Sequence, residues 1–255
     1  MLIFLILIGR WDLGSYALRY TVLAAFLLVG AHKWGWGALV LTVFCLILPW
    51  LLLRRPAREQ MIEAEFPLRG GTFYVVQGGA TPWVNRHSVS RSQRYALDIV
   101  ALNCIGARAK GIYPSRLSDY RIFGETVYSP CSGTITAAVD HLSDLSPAQM
   151  DTTNVAGNYI VIRFDDTDTY VGLAHLKQRS VTISKGDRVQ VGQALACVGN
   201  SGHTSEPHLH IHAKRGGRAD SMLDGEGIAM HFGGRWLIRN SVVRRVTPTA
   251  SHSFP

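Results

Sequence analysis

The sequence predicts a mainly β domain built on an antiparallel sheet, preceded by a two-helix transmembrane hairpin. Three observations predict it. Apolar residues are concentrated in the first sixty positions, where only two acids, Asp12 and Glu59, occur. Beyond them, short β-rich runs alternate with Gly, Pro, Asn and Asp, the pattern of antiparallel strands joined by tight turns. Finally, Pro207-His208-Leu209-His210-Ile211-His212 alternates polar and apolar residues with the period of a half-buried strand.

Composition sets the outer limits. The chain has 255 residues, 47% hydrophobic and 17% charged, too apolar to remain disordered. Its formal net charge of +8 divides evenly, +4 over residues 1–60 and +4 over residues 61–255. In the larger part the surplus is scattered, with no basic run longer than Arg244-Arg245 and no aromatic platform, so nucleic acid is excluded as a partner. About 195 residues remain for one domain with a core of its own.

Residues 1–60 are expected to form a membrane anchor and linker. Trp34 to Leu53 is a 20-residue run without charge. As a helix it would extend about 30 Å, the thickness of a bilayer's hydrocarbon core. Trp34, Trp36 and Trp50 stand near its ends, where amphipathic rings favour the interface. A second apolar span covers residues 13–31, with Arg19 able to snorkel outward. Only His32-Lys33 separates the two, which makes a hairpin. The apolar stretch is far too long for a cleaved signal peptide. Arg10, Arg54, Arg55 and Arg58 flank the hairpin on one side and Lys33 on the other, a bias that places the following domain in the cytoplasm. Arg54 to Glu63 reads as the linker.

Residues 61–255 form the expected β domain, with its core at about 72–214. Expected strands are Thr72–Gln77, Tyr95–Val100, Gly133–Val139, Tyr159–Phe164, Thr169–His175, Ala194–Val198, His208–Ala213 and Arg235–Ile238. Lys185-Gly186-Asp187 and Gly199-Asn200-Ser201-Gly202 mark turns. His141 to Asn154 is polar and reads as an inserted surface loop or short helix.

Chemistry concentrates in the histidines. Side chains alternate along a strand, so His208, His210 and His212 share one face while Leu209 and Ile211 enter the core. Neighbouring imidazoles on such a face can serve one metal site, one as ligand and one beside it as acid or base. His175 ends an apolar strand. Asp98 lies within Tyr95-Ala96-Leu97-Asp98-Ile99-Val100, where a carboxylate must be paired or must coordinate something. His87 precedes that strand, beside Trp83 and Asn85.

Together these residues resemble a family. Gly199-Asn200-Ser201-Gly202, then Pro207-His208-Leu209-His210, with Ala174-His175-Leu176 upstream and Gly186-Asp187 and Gly192-Gln193 between, resemble the lysostaphin-type, LytM-domain zinc endopeptidases. The resemblance runs from about Thr72 to Lys214. It implies a LytM/lysostaphin-like, duplicated-hybrid-motif-like β fold that cuts peptide cross-links of bacterial peptidoglycan. It further implies one zinc ion per domain, held by His87, Asp98 and His210, with His175 and His208 as catalytic acid and base. One departure stands out. The family pattern is H-x-x-x-D, whereas His87 and Asp98 lie eleven positions apart. Asn85-x-His87 followed by Gln93-Arg94-Tyr95-Ala96-Leu97-Asp98 resembles a subset of the family.

The residues support this chemistry without the name. Two imidazoles and a carboxylate leave a tetrahedral zinc one open position for water, whose pKa falls toward about 7. His208 or His175 takes the water's proton or stabilises the oxyanion, and the sequence leaves the two roles interchangeable. His212 reads as a polar strand residue, or as a contact just behind the site or with substrate, His203 as a rim or surface residue, and Asn85 as an orienter of the His87 loop. His32, His141, His231 and His252 read as interface or surface residues. Gly199 and Gly202 read as turn formers. Cys104 and Cys131 are expected to pair, leaving Cys197 buried in a strand.

Three readings follow. The first is a membrane-anchored zinc endopeptidase acting on peptidoglycan cross-links. It lies in the bacterial inner membrane with its domain on the periplasmic or extracellular side, against the charge bias. The others are a non-catalytic LytM-like binding or activator module, and a metallopeptidase acting on a protein substrate.

Overall fold

The structure, a computed structural model, describes residues 61–165 and 167–245 together with Gly37, Val40 and Pro56. The expected hairpin at 13–31 and 34–53 therefore lies outside the described residues, apart from Gly37 and Val40. Among the described residues no helix is long and apolar enough to cross a membrane.

Thirteen strands are described. They are β1 (Met61–Ala64), β2 (Gly71–Gln77), β3 (Leu97–Leu102), β4 (Thr126–Tyr128), β5 (Gly133–Val139), β6 (Asn158–Phe164), β7 (Thr169–Leu176), β8 (Arg188–Val189), β9 (Ala194–Cys197), β10 (Leu209–Arg215), β11 (Glu226–Phe232), β12 (Arg235–Trp236) and β13 (Val242–Arg245). The main sheet runs β13-β2-β3-β10-β7-β6-β5-β8, and β4 and β9 form a separate pair. All pairings are antiparallel except β1 with β11. The domain is thus mainly β and antiparallel, as the alternating runs predict.

β10 is the organising strand. One edge pairs along its length with β7. The other pairs first with β3 and then with β11. Register decides which side chains share a face. Leu209 pairs with Ile99 and Ile211 with Leu97, and all four point into the main core with Leu173, Val171, Ile160 and Ile162. His210 pairs with Asp98 on one side and Ala174 on the other, so the opposite face carries the polar residues. Burying the apolar face fixes this register, because a one-residue slip would turn the histidines inward.

Five strands were not expected from the sequence: β1, β4, β8, β11 and β13. The end of the expected linker is β1, which lies parallel on β11. There Glu63 ion-pairs with His231, so His231 is buried at 9% exposure rather than on the surface. The expected Cys104–Cys131 bond is not formed. Cys131 packs into the core, whereas Cys104 is exposed in a turn. Gly199 is also corrected. Its Cβ would collide with the Lys177 backbone and Asp144, so it serves a close approach, while Gly202 has the left-handed φ of 88° its turn requires.

Candidate metal centre and catalytic site

His87, Asp98, His175, His208 and His210 come from four separate segments and meet at one place. Asp98 is the hub. His87 Nε2 lies 2.9 Å from Asp98 Oδ2, His210 Nδ1 lies 2.9 Å from Asp98 Oδ1, and His208 Nε2 is 3.6 Å away. The His210–Asp98 contact follows directly from the β10–β3 register.

His87 reaches the hub from a single 3-10 turn, Arg86–Val89. Asn85 caps that turn: its Oδ1 accepts the His87 N–H, and its Nδ2 donates to the carbonyls of Gly79 and Ala96. Asn85 is fully buried, and its amide ties the turn to the start of β3. This is the orienting role the sequence proposed for it. It also accounts for the eleven-residue spacing, since the ligand arrives from a capped turn rather than from the strand that carries Asp98.

His175 and His208 are set by backbone acceptors. His175 Nδ1 donates to the Ser201 carbonyl at 2.9 Å, and His208 Nδ1 to the Glu206 carbonyl at 2.8 Å. Carbonyls accept only, so each ring carries its proton on Nδ1 and turns Nε2 toward the site. The two ring centroids are 4.7 Å apart. His175 holds a left-handed φ of 61°, a costly conformation for a residue with a side chain. Bonds on both sides hold it there, His175 N–H to Ala156 and Gly199 N–H to His175.

The carbonyl of Ser201 depends on a crossing of two chains. Residues Val155–Gly157 pass so close to Ser201–Gly202 that a Cβ on Gly157 would strike the Ser201 backbone. Ser201 Oγ accepts the Asn158 N–H and donates to the Leu176 carbonyl. The loop at 141–154 is stapled to the same turn through Asp144, which accepts the N–H groups of Asn200 and Gln178.

Electrostatics follow from this packing. Burial acts to raise the Asp98 pKa, but the His208 and His87 imidazoles and hydrogen bonds from His210 and His87 outweigh it and hold the carboxyl well below its ordinary value. Burial acts to lower His87, and the Asp98 carboxylate outweighs it and raises it. Burial dominates at His210 and His175, lowering the first and holding the second well below the ordinary histidine value.

Among the described residues, one group of side chains offers metal ligands at the right spacing. One ligand atom from each of His87, Asp98 and His210 lies within 4.8 Å of the others. Two imidazoles and a carboxylate match a catalytic zinc site in type and number, with a fourth position left for water. Asp98 already carries the negative charge such an ion requires. The residues fit zinc.

The site opens into a groove of about 620 Å³. Arg108 and Tyr113 reach it from the 103–124 loop and Met150 from the 141–154 loop. His203 lines it too, as a rim residue. Arg108 ion-pairs with Glu206 at 2.8 Å, fastening the first loop to the segment that supplies the His208 acceptor. Sequence reasoning missed the acceptors Ser201 and Glu206 and the Arg108–Glu206 tie. Ser201 stood in a visible turn, but a carbonyl leaves no mark in sequence.

Residues 118–221 match the model of peptidase family M23. The matched stretch holds His175, His208 and His210, while His87 and Asp98 lie upstream of it, where the spacing departs from the family pattern. The chain is 28% identical over 148 residues to the peptidoglycan DD-endopeptidase ShyA of Vibrio cholerae serotype O1, a match covering 54% of this chain and 31% of that protein. The chain therefore spans about a third of this curated relative. Solved structures similar to it include a zinc-containing peptidase from Vibrio cholerae, at 19% identity and a TM-score of 0.30, covering 51% of this chain and 50% of that one. Lysostaphin from Staphylococcus simulans aligns at 20% identity and a TM-score of 0.29, covering 46% and 45%.

Proposed function

We propose that this chain is a membrane-anchored zinc metalloendopeptidase that hydrolyses peptide cross-links of bacterial peptidoglycan. The observation that carries the reading is the convergence of His87, Asp98, His175, His208 and His210 at one place, the first four of them lining the groove. A non-catalytic binding module would have no need of all five. The homologous ShyA is a peptidoglycan DD-endopeptidase, which supports the substrate class.

His87, Asp98 and His210 would hold the zinc ion, which when bound supplies an electrophile for the scissile carbonyl and lowers the pKa of its water. His175 and His208 stand beside that position with Nε2 turned inward. His175, kept neutral by burial, is suited to accept the proton of the attacking water, whereas His208 would orient the carbonyl oxygen only with a second proton on Nε2. Asn85 and the Arg108–Glu206 pair hold the two sides of the groove in place.

The groove also carries charge. Arg86 and Arg239 line it, and among the described residues neither ion-pairs with an acid. Both are anchored at the end of β2: the Arg86 N–H donates to Gln77 Oε1 and the Arg239 N–H to the Gly78 carbonyl. Two arginines lining the groove favour a peptide bearing carboxylates, as cross-link peptides do.

We place the domain on the outer side of the inner membrane, where its substrate lies. The arginines flanking the apolar spans argue for the opposite side. A phosphatase reporter fused after Pro255 decides: strong activity puts the domain outside, and its absence puts it in the cytoplasm. For activity, purified cell walls are incubated with the zinc-loaded chain and soluble muropeptides are followed. Chelator and His210→Ala should each abolish release. A wild-type chain free of zinc and without muropeptide release would sink the enzyme reading.

A further inference from the structure

We infer that Asp144, in the loop at 141–154, is a positioning residue for His175: its carboxylate locks the exit of β7 to the Gly199–Gly202 turn, so that the Ser201 carbonyl meets the His175 ring. The inference rests on the proposal that His175 accepts the proton of the attacking water.

His175 stands where its own strand holds it least. It is the second-last residue of β7 and has a left-handed φ. Its ring is set by the Ser201 carbonyl, 26 residues further along the chain. Strand end and turn must therefore be held together by contacts that local structure does not supply.

Asp144 bridges the two sides. Its Oδ1 accepts the Asn200 N–H at 2.6 Å, and its Oδ2 accepts the Gln178 N–H at 3.1 Å. Asn200 immediately precedes Ser201, and Gln178 lies three residues beyond His175. One carboxylate thus ties the backbone that carries the acceptor to the backbone that carries the ring. Hydrogen bonds to an ionised acceptor are stronger than those to a neutral one. The slot is shaped for it. A Cβ on Gly199 would strike Asp144 Oδ1 and the Lys177 backbone, so glycine there leaves the space the carboxylate fills.

The neighbours of Asp144 press the loop onto the same turn. Leu145 N–H donates to the Asn200 carbonyl at 3.1 Å, and Asn200 Nδ2 donates to the Leu145 carbonyl at 2.7 Å. Leu142 exchanges two bonds with Asn158, whose Nδ2 also donates to the Leu176 carbonyl, next to His175. Asn200 and Ser201 are fully buried. Without Asp144 the Asn200 and Gln178 N–H groups would lose their acceptor inside a packed turn, and the turn would shift to find another.

The candidate metal ligands stand outside this brace. Asp98 and His210 are set by the β10–β3 register, and His87 by the turn that Asn85 caps. Loss of Asp144 should therefore move His175 and leave zinc binding alone.

The test compares the full-length wild type with Asp144→Ala, with Asp144→Asn, which keeps an oxygen for the Asn200 N–H, and with Asp151→Ala. Asp151 is the control: its side chain caps the same loop from within, accepting the N–H groups of Thr153 and Asn154. Muropeptide release is followed over a range of substrate concentrations, zinc affinity by competition with a chromophoric chelator, and the His175 Nδ1–H by NMR of the metal-free chain. Asp144→Ala should lose about 10- to 100-fold in kcat, with KM and zinc affinity little changed. Asp144→Asn should recover part of the loss, and Asp151→Ala should keep the wild-type kcat. The His175 Nδ1–H signal should persist in wild type and Asp151→Ala and vanish by solvent exchange in Asp144→Ala. An unchanged kcat in Asp144→Ala overturns the inference. So does an equal loss in Asp151→Ala, which makes the loop a general support, and so does a rise in KM alone, which makes Asp144 a shaper of the groove. No recovery in Asp144→Asn overturns it as well. Should Asp144→Ala fail to fold, Asp144→Asn against Asp151→Asn makes the same comparison. A wild-type chain that releases no muropeptide sinks the enzyme reading, and the His175 signal then decides alone whether Asp144 positions the ring. An active wild type whose His175 signal survives in Asp144→Ala sinks the inference and leaves the enzyme reading standing.

Discussion

Asp98 and His210 are Cα partners on adjacent antiparallel strands, and the same register brings Asp98 Oδ1 to 2.9 Å from His210 Nδ1. The strand pairing itself therefore brings together two of the three candidate metal ligands. The third, His87, arrives from a turn and meets the second oxygen of the same carboxylate. One carboxylate thus faces both imidazoles, and protons compete with metal for all three groups.

That competition has a definite sign. Asp98 is held well below its ordinary value and His210 is lowered, so both are ready to ligate at neutral pH. His87 is raised above its ordinary 6.5 and must give up its proton. Zinc binding should therefore release about one proton per ion at slightly acid pH, with affinity falling up to about tenfold per pH unit below the His87 value. Calorimetry in buffers of different ionisation enthalpy counts that proton. The metal-free fold runs the other way. A raised folded-state value stabilises it fully below pH 6.5, and that stability is lost as pH rises through the folded value. An affinity independent of pH between 5.5 and 7 would remove His87 from the ligand set.

Arg86 and Arg239, which ion-pair with no acid among the described residues, predict a second split. If Arg86 and Arg239 bind substrate carboxylates, Arg86→Gln and Arg239→Gln should each raise KM about tenfold, the worth of one charge-assisted hydrogen bond, with kcat little changed. Substrate with both carboxyl groups amidated should lose the product of the two factors in wild type, and either substitution should then add nothing. A loss of kcat instead would mean that these residues shape the centre rather than hold the substrate.

Much of this was legible in the sequence, for identifiable reasons. β5, β7 and β10 bury at least one whole face, so their apolar pattern announces them. β1 and β13 are short, carry charges and depend on partners distant in sequence, and no local period marks them. At the site, residue types were visible and their settings were not. The carbonyls of Ser201 and Glu206 decide which nitrogen of His175 and His208 faces the groove, yet a carbonyl belongs to every residue. The left-handed backbone of His175 is likewise a product of tertiary bonds. The Cys104–Cys131 pairing failed because sequence position cannot tell a core thiol from a loop thiol.

The thiols give a chemical test of that correction. Burial pushes the Cys131 pKa up to about 12, so it carries almost no thiolate at neutral pH. In the native chain iodoacetamide should label exposed Cys104 and spare Cys131 until denaturant is added, as peptide mass spectrometry would show. The sign for stability follows. The folded-state value is raised above 9, so the neutral thiol's contribution is complete below pH 9 and is lost between 9 and about 12. A native chain with neither thiol available and a mass two protons lighter would restore the disulfide.

Gly157 supplies the strongest mechanical prediction. Its φ of 61° disfavours any side chain, and its Cβ would strike the Ser201 carbonyl that orients His175. Gly233 has a similar φ of 57° but open space around its Cβ. Gly233→Ala should therefore cost only the backbone term, about 1–2 kcal/mol, or a midpoint drop of roughly 2–8 °C for a domain of this size. Gly157→Ala carries the same term plus the collision, so its midpoint should fall distinctly further. Its kcat should fall as well, because the carbonyl must move and His175 loses the partner that fixes its proton on Nδ1. Thermal melts and turnover of the two variants, side by side, separate backbone strain from the crossing of chains. Equal melting losses with unchanged kcat in Gly157→Ala would show that His175 is positioned without the Val155–Gly157 and Ser201–Gly202 contact.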